Sequence, residues 1–212
     1  MLRVLFIAPV APNLPRLAWH DELAALADID GVDVTLVAGE VATIANVAKR
    51  LTADAWDVIV FSGHGKANCL ILSDGRAIPG AWLATQAKAR APEVVLVGAC
   101  YSAAADDSLH TISQEIADAG LHAIAFEAAV DDLAGAVFAT EFIRSMAAVF
   151  DVTRAMRVAT EMTAQVSLNT AKSARLSRAA VNGWRQFTKR LDGIECTLAE
   201  MNDRLRRLEG TP

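Results

Sequence analysis

The 212 residues, 22.5 kDa in all, make one ordinary domain with room for a small appendage, and 53% hydrophobic content at a mean hydropathy of +0.30 is ample for a buried core, which excludes disordered and collagen-like classes. Three cysteines cannot complete a disulfide framework, so the chain reads as a protein of a reducing compartment, the cytosol by default. The net charge of −5 is uneven, since residues 1–152 carry nine Lys/Arg against nineteen Asp/Glu and residues 153–212 carry eleven against six, and the acidic front part argues against a nucleic-acid partner.

Apolar runs alternate with helical stretches through the first 150 residues. Arg3–Val10 reads as a strand, Leu17–Leu26 as a helix, Val32–Val37 as a strand, Ala42–Leu51 as a helix, and Trp56–Phe61 as a fully buried strand. Leu70–Leu72, the turn Ser73-Asp74-Gly75 and Ala77–Ile78 make a small hairpin. Helix Ala81–Arg90 ends before Pro92, Val94–Val97 is a buried strand, Ser113–Ala119 is helical up to Gly120, and Ala123–Phe126 is a fifth strand. Strands alternating with helices of this length imply a mostly parallel sheet covered on both faces, with ligand chemistry at the carboxyl ends of its strands. The opening run MLRVLFIAPVAPNLP imitates a secretory signal, but a buried first strand explains it better. No stretch of eighteen apolar residues occurs, so no transmembrane helix or membrane partner is expected.

From Asp131 onward strand signals stop. Asp131-Asp132 supplies a helix start, and apolar positions recur at helical spacing from Ala136 through Val166. Trp184, Phe187, Leu191, Ile194, Leu198, Met201, Leu205 and Leu208 then form an a/d heptad seam. That seam either folds back antiparallel on residues 152–175 or pairs with a second chain in a coiled coil. The expected division is thus a sheet domain over 1–152 and an all-helical extension over 153–212, whose seam at 184–208 recruits a protein partner or a second copy.

Strand Trp56–Phe61 runs directly into Ser62-Gly63-His64-Gly65, and Val94–Val97 runs directly into Gly98-Ala99-Cys100-Tyr101-Ser102. A base and a thiol therefore sit just past the carboxyl ends of two strands expected to be neighbours. In this arrangement His64 takes the thiol proton and later protonates a leaving amine, while Cys100 attacks a carbonyl as thiolate. The backbone N–H groups of Gly65 and Cys100 are the candidates for holding the oxyanion. Against this stands the plainer possibility that a cysteine after a strand is only a small core residue.

The ordered combination of Asp57–Gly65, Leu70–Gly75 and Val94–Ser102, continued through Ile116–Gly120, Ala123–Phe126 and Val130-Asp131-Asp132 with Phe138 and Phe142, resembles the CHAT branch of the caspase-like cysteine peptidases over residues 1–165. The resemblance implies a caspase-like α/β fold, a His64/Cys100 dyad, no cofactor, and a protein or peptide substrate. It also implies a bacterial protease of the kind found with helical modules in defence or regulated cell-death systems. Relatives that cleave after Arg or Lys carry an Asp two residues before the nucleophile, where this chain has Gly98. Arg16, in the loop after the first strand, and Asp106 and Asp107, after Cys100, are the remaining charged candidates for a substrate pocket.

Cys69 and Cys196 lack CxxC spacing, so no metal site is expected, and Gly63-x-Gly65 lacks both dinucleotide and Walker patterns. His20, His110 and His122 are read as helix-surface or loop residues, and Trp19, Trp56 and Trp82 as packing against the sheet. The sequence points to a cytoplasmic cysteine endopeptidase with a helical extension. Its competitor is a catalytically silent scaffold of the same fold that binds partners through its helices.

Overall fold

An apolar run such as Val4 through Ala8 is stable as a strand only when both of its faces are covered. It forms the middle of β1 (Leu2–Pro9), in which Val4 through Ala8 are fully buried. The computed structural model describes residues 1–66, 69–99 and 111–178; the predicted heptad seam at 184–208 lies outside the described residues.

After β1 come α1 (Trp19–Ala27), β2 (Val32–Gly39), α2 (Ile44–Ala53) and β3 (Val58–Ser62). A small antiparallel sheet follows, made of β4 (Gly65–Lys66), β5 (Cys69–Ile71) and β6 (Ala77–Ile78). The chain then returns through α3 (Gly80–Lys88), β7 (Val94–Gly98), α4 (Ile112–Asp118), β8 (His122–Phe126), α5 (Asp132–Val149), α6 (Val152–Ala164), α7 (Leu168–Ser173) and β9 (Ala174–Ser177). The main sheet has the order β2-β1-β3-β7-β8-β9, parallel from β2 to β8. Among the described strands of this sheet only β9 is antiparallel, pairing Ala123 with Ser177 and Phe126 with Ala174.

Alternation along each strand divides the core into two layers. Leu5, Ile7, Ile59, Phe61, Val95 and Val97 face α2, α3 and α4, while Val4, Phe6, Val58, Val60, Leu96 and Phe126 face α1, α5 and α6. Helix starts follow local chemistry: the side chains of Thr43, Asp131 and Asp151 accept from the N–H groups of Asn46, Ala134 and Arg154, which the helices cannot satisfy themselves. The apolar stretch from Ala136 to Val166 is not one helix. Phe150 adopts a left-handed conformation at φ 50° and ends α5, and Asp151 begins α6.

The predicted hairpin is present and does more than turn. Ser73 Oγ donates to Gly39 O at 2.6 Å and accepts from Val10 N at 3.0 Å, and Asp74 Oδ2 accepts from Ile44 N at 3.2 Å. The turn thereby ties the ends of β1 and β2 together.

Strand β9 has no counterpart in the sequence reading, in which strand signals stop at Asp131. The sheet continues through Ser177, and Val152, Ala155, Ala159 and Ala174 share one core layer with β1 and β3. Residues 153–178 are therefore packed with the sheet, past the boundary expected at 152, and they are not all helical.

Candidate active site

Strands β3 and β7 lie side by side in a register that pairs Phe61 with Val97 and Ser62 with Gly98. His64 and Cys100 each follow two residues beyond that last pair. Cys100, Asp106 and Asp107 fall outside the described residues, whereas His64, Gly65 and Arg16 are described. Arg16 is exposed in the loop between β1 and α1.

Close backbone approach fixes how the chain leaves the sheet. A Cβ at Gly63 would meet the Phe61 ring at 2.7 Å and Pro9 Cγ at 3.1 Å, and one at Gly98 would sit 3.2 Å from Phe61 O. Glycine at both places lets the two strand ends emerge close together.

His64 is half-buried, and its Nε2 lies 2.7 Å from the carbonyl oxygen of Pro15. A carbonyl only accepts, so Nε2 donates to it, and Nδ1 is the ring nitrogen left to exchange a proton with a nucleophile. The ring is thus oriented by backbone from the loop after β1, a partner that an inventory of side chains does not contain. The small sheet holds the same segment from the other side, because Ile71 N donates to His64 O at 3.0 Å. Gly65 pairs with Leu70, and with Ile71 bonded to His64 this is a pair that does not exchange hydrogen bonds. The N–H of Gly65 accordingly points away from β5.

Beside these strand ends lies a cavity of about 100 Å³ enclosed by β3, β7, β8, α1 and α5. Leu17, Trp19, Val60, Leu96, Phe126 and Phe138 form its apolar wall. Gly63, His64 and Gly98 border it, and Glu22, Ser62 and Asp132 supply polar groups. Trp19 stacks on His20 with ring centroids 3.6 Å apart.

Glu22 is only 8% exposed, and its Oε2 accepts from Ser62 Oγ at 2.6 Å. Burial pushes its carboxyl up to about 7; the Ser62 hydroxyl opposes that rise and the negative charge of Asp132 adds to it. The sequence reading did not single out Glu22, and it met Ser62 and Asp132 only as a strand end and a helix start. A signal for Glu22 does exist: it lies three residues after Trp19 and four before Leu26, on the apolar stripe of α1. Among the described residues no three His, Cys, Asp or Glu side chains come together as metal ligands. No helix among them is long and apolar enough to cross a membrane.

The family model for the CHAT domain matches residues 8–189. No curated protein matches. Among solved structures, the Arg-specific cysteine proteinase gingipain R superposes with a TM-score of 0.60 at 10% identity over 81% of this chain and 44% of its own. The complex of the pro- and mature domains of RgpB from Porphyromonas gingivalis gives a TM-score of 0.55 at 9% identity, over 82% of this chain and 46% of its own. This chain spans less than half the length of either structure, and the likeness shows a shared caspase-like fold.

Proposed function

From the premise that this chain belongs to the CHAT domain family and has a caspase-like fold, we propose that it is a cysteine endopeptidase with Cys100 as nucleophile and His64 as general acid and base. The observation that carries this reading is the Ser62–Gly98 register pair, from which both residues are two positions away. His64 Nδ1 takes the proton of the Cys100 thiol, and the thiolate sulfur bonds to the carbonyl carbon of the scissile peptide. The oxyanion so formed accepts from the N–H groups of Gly65 and Cys100. Collapse breaks the C–N bond, and the amine leaves with the proton that His64 held. Water, deprotonated by His64, then hydrolyses the thioester, releasing the acid and restoring the thiol. The Pro15 carbonyl keeps the ring in place through both proton transfers.

The same reading places the protein in the bacterial cytoplasm as a regulated protease of a defence or cell-death system, with residues 184–208 recruiting a protein partner or a second copy. It is tested by mass spectrometry of a proteome-derived peptide library incubated with the wild type and with Cys100→Ala. The expected result is a set of cleavages present only in the wild type and absent also from His64→Ala. No difference, together with a Cys100 that an electrophile does not label faster than Cys69 or Cys196, overturns the reading in favour of a silent scaffold.

A further inference from the structure

The cavity beside His64 has a chemical character that the dyad does not require. Its apolar wall matches a methylene stem, while its polar groups are two carboxyls, Glu22 and Asp132, with the Ser62 hydroxyl between β3 and α1. No lysine or arginine among the described residues lines it. At about 100 Å³ it is well below the roughly 300–1,000 Å³ of pockets for whole small-molecule ligands, and suits one side chain. Its lining includes Gly98, two residues before Cys100, and His64, so a side chain seated there belongs to the residue whose carbonyl meets the nucleophile.

We propose that this cavity seats the side chain on the acyl side of the scissile bond, and that Glu22, from α1, selects a cationic one, arginine or lysine. The inference rests on the peptidase reading and adds its substrate class. Glu22 does from the helix what Gly98 cannot do from the strand, since Gly98 carries no side chain and a Cβ there would crowd Phe61 O. Ser62 Oγ donates to Oε2 of Glu22, which fixes the carboxyl at the cavity wall. A carboxyl so placed gains an ion pair when a guanidinium or ammonium enters and gains none from a neutral side chain, which favours a cation over a neutral isostere.

The charge of the cavity follows from the groups that face Glu22. Ser62 and His64 border it from β3 and the loop beyond, Asp132 from α5, and β7 and β8 contribute only Leu96, Gly98 and Phe126. Because the Glu22 carboxyl ionises at about 7 in the empty cavity, preference for the cation grows with pH through neutrality.

The test compares kcat/KM for two peptides that differ only in arginine against its neutral isostere citrulline before the scissile bond, in wild type and Glu22→Gln. Wild type is expected to favour arginine, and Glu22→Gln to lower the arginine-to-citrulline ratio about tenfold or more. Between about pH 6 and about pH 8 the ratio rises in wild type and stays flatter in Glu22→Gln. Since the variant keeps His64, a pH effect arising at that ring survives in it. An unchanged ratio overturns the proposal, even if both rates fall, and leaves Glu22 as a support for Ser62. Should Glu22→Gln fail to fold, the wild-type cleavage profile decides, and cleavage after neutral or acidic residues overturns the proposal. Absence of any Cys100-dependent cleavage overturns the peptidase reading itself, an outcome distinct from cleavage with no basic preference.

Discussion

Glu22 has a thermodynamic signature that can be read without any substrate. Its carboxyl ionises at about 7 in the folded chain against an ordinary 4.5, so between those values the folded protein holds a proton that the unfolded chain has released. Stability from this group is therefore full below about 4.5 and is lost as pH rises to about 7. A shift of that size corresponds to roughly 3 kcal/mol at 1.36 kcal/mol per unit. Urea unfolding at a series of pH values should show Glu22→Gln more stable than wild type at pH 8, with the difference shrinking towards pH 5; equal pH slopes for the two proteins would contradict it. At this scale the sequence was partly legible. His64 and Cys100 stand out because each follows an apolar strand into small residues, where a polar side chain has no core to fill. Glu22 does not, because a glutamate in a helix is commonly a solvated one, and only its place between Trp19 and Leu26 gives it away. The Pro15 carbonyl has no side-chain signal at all.

Elements were legible where burial on both faces wrote an uninterrupted apolar run. β1, β3 and β7 are of that kind, and the Ser73–Gly75 turn announces its hairpin through its own residue types. β9 is of the opposite kind. Ala174-Arg175-Leu176-Ser177 has one large apolar residue, and it becomes a strand because it caps the edge of β8, with Arg175 ion-paired to Glu127. Its pattern is set by a neighbour far away in sequence, which periodicity within the segment cannot register. Removing it uncovers the backbone of Ala123–Phe126, an apolar edge open to other chains. A chain ended before Ala174 is expected to associate or precipitate where one ended after Arg178 does not, as measured by light scattering at equal concentration.

At the scale of the molecule, the order β2-β1-β3-β7-β8 reverses direction between β1 and β3, and such a reversal opens a crevice at the carboxyl ends of the strands. The sequence implied that crevice through its alternation of strands and helices, and it made β3 and β7 neighbours by their adjacency in the chain. It did not reveal that the cavity lies on the α1 and α5 side, because that depends on which faces of three strands and two helices meet. The partner recruitment proposed for residues 184–208 belongs to this scale too, and it would make peptide turnover depend on that segment. Since the sheet runs through Ser177, the informative truncation ends after Arg178, and it is expected to change peptide turnover relative to the full chain; unchanged turnover would remove residues 179–212 from the control of activity.

The contact between His64 and the Pro15 carbonyl has a bearing on how this protein varies. Because the partner is a main-chain atom, every substitution at position 15 inherits it, and a scan that exchanges side chains there would not remove the group that orients the ring. Loop length behaves otherwise. One residue gained or lost between Pro9 and Trp19 would slide a different carbonyl towards the ring, so a change of loop length here is expected to disturb the ring more than a change of side chain.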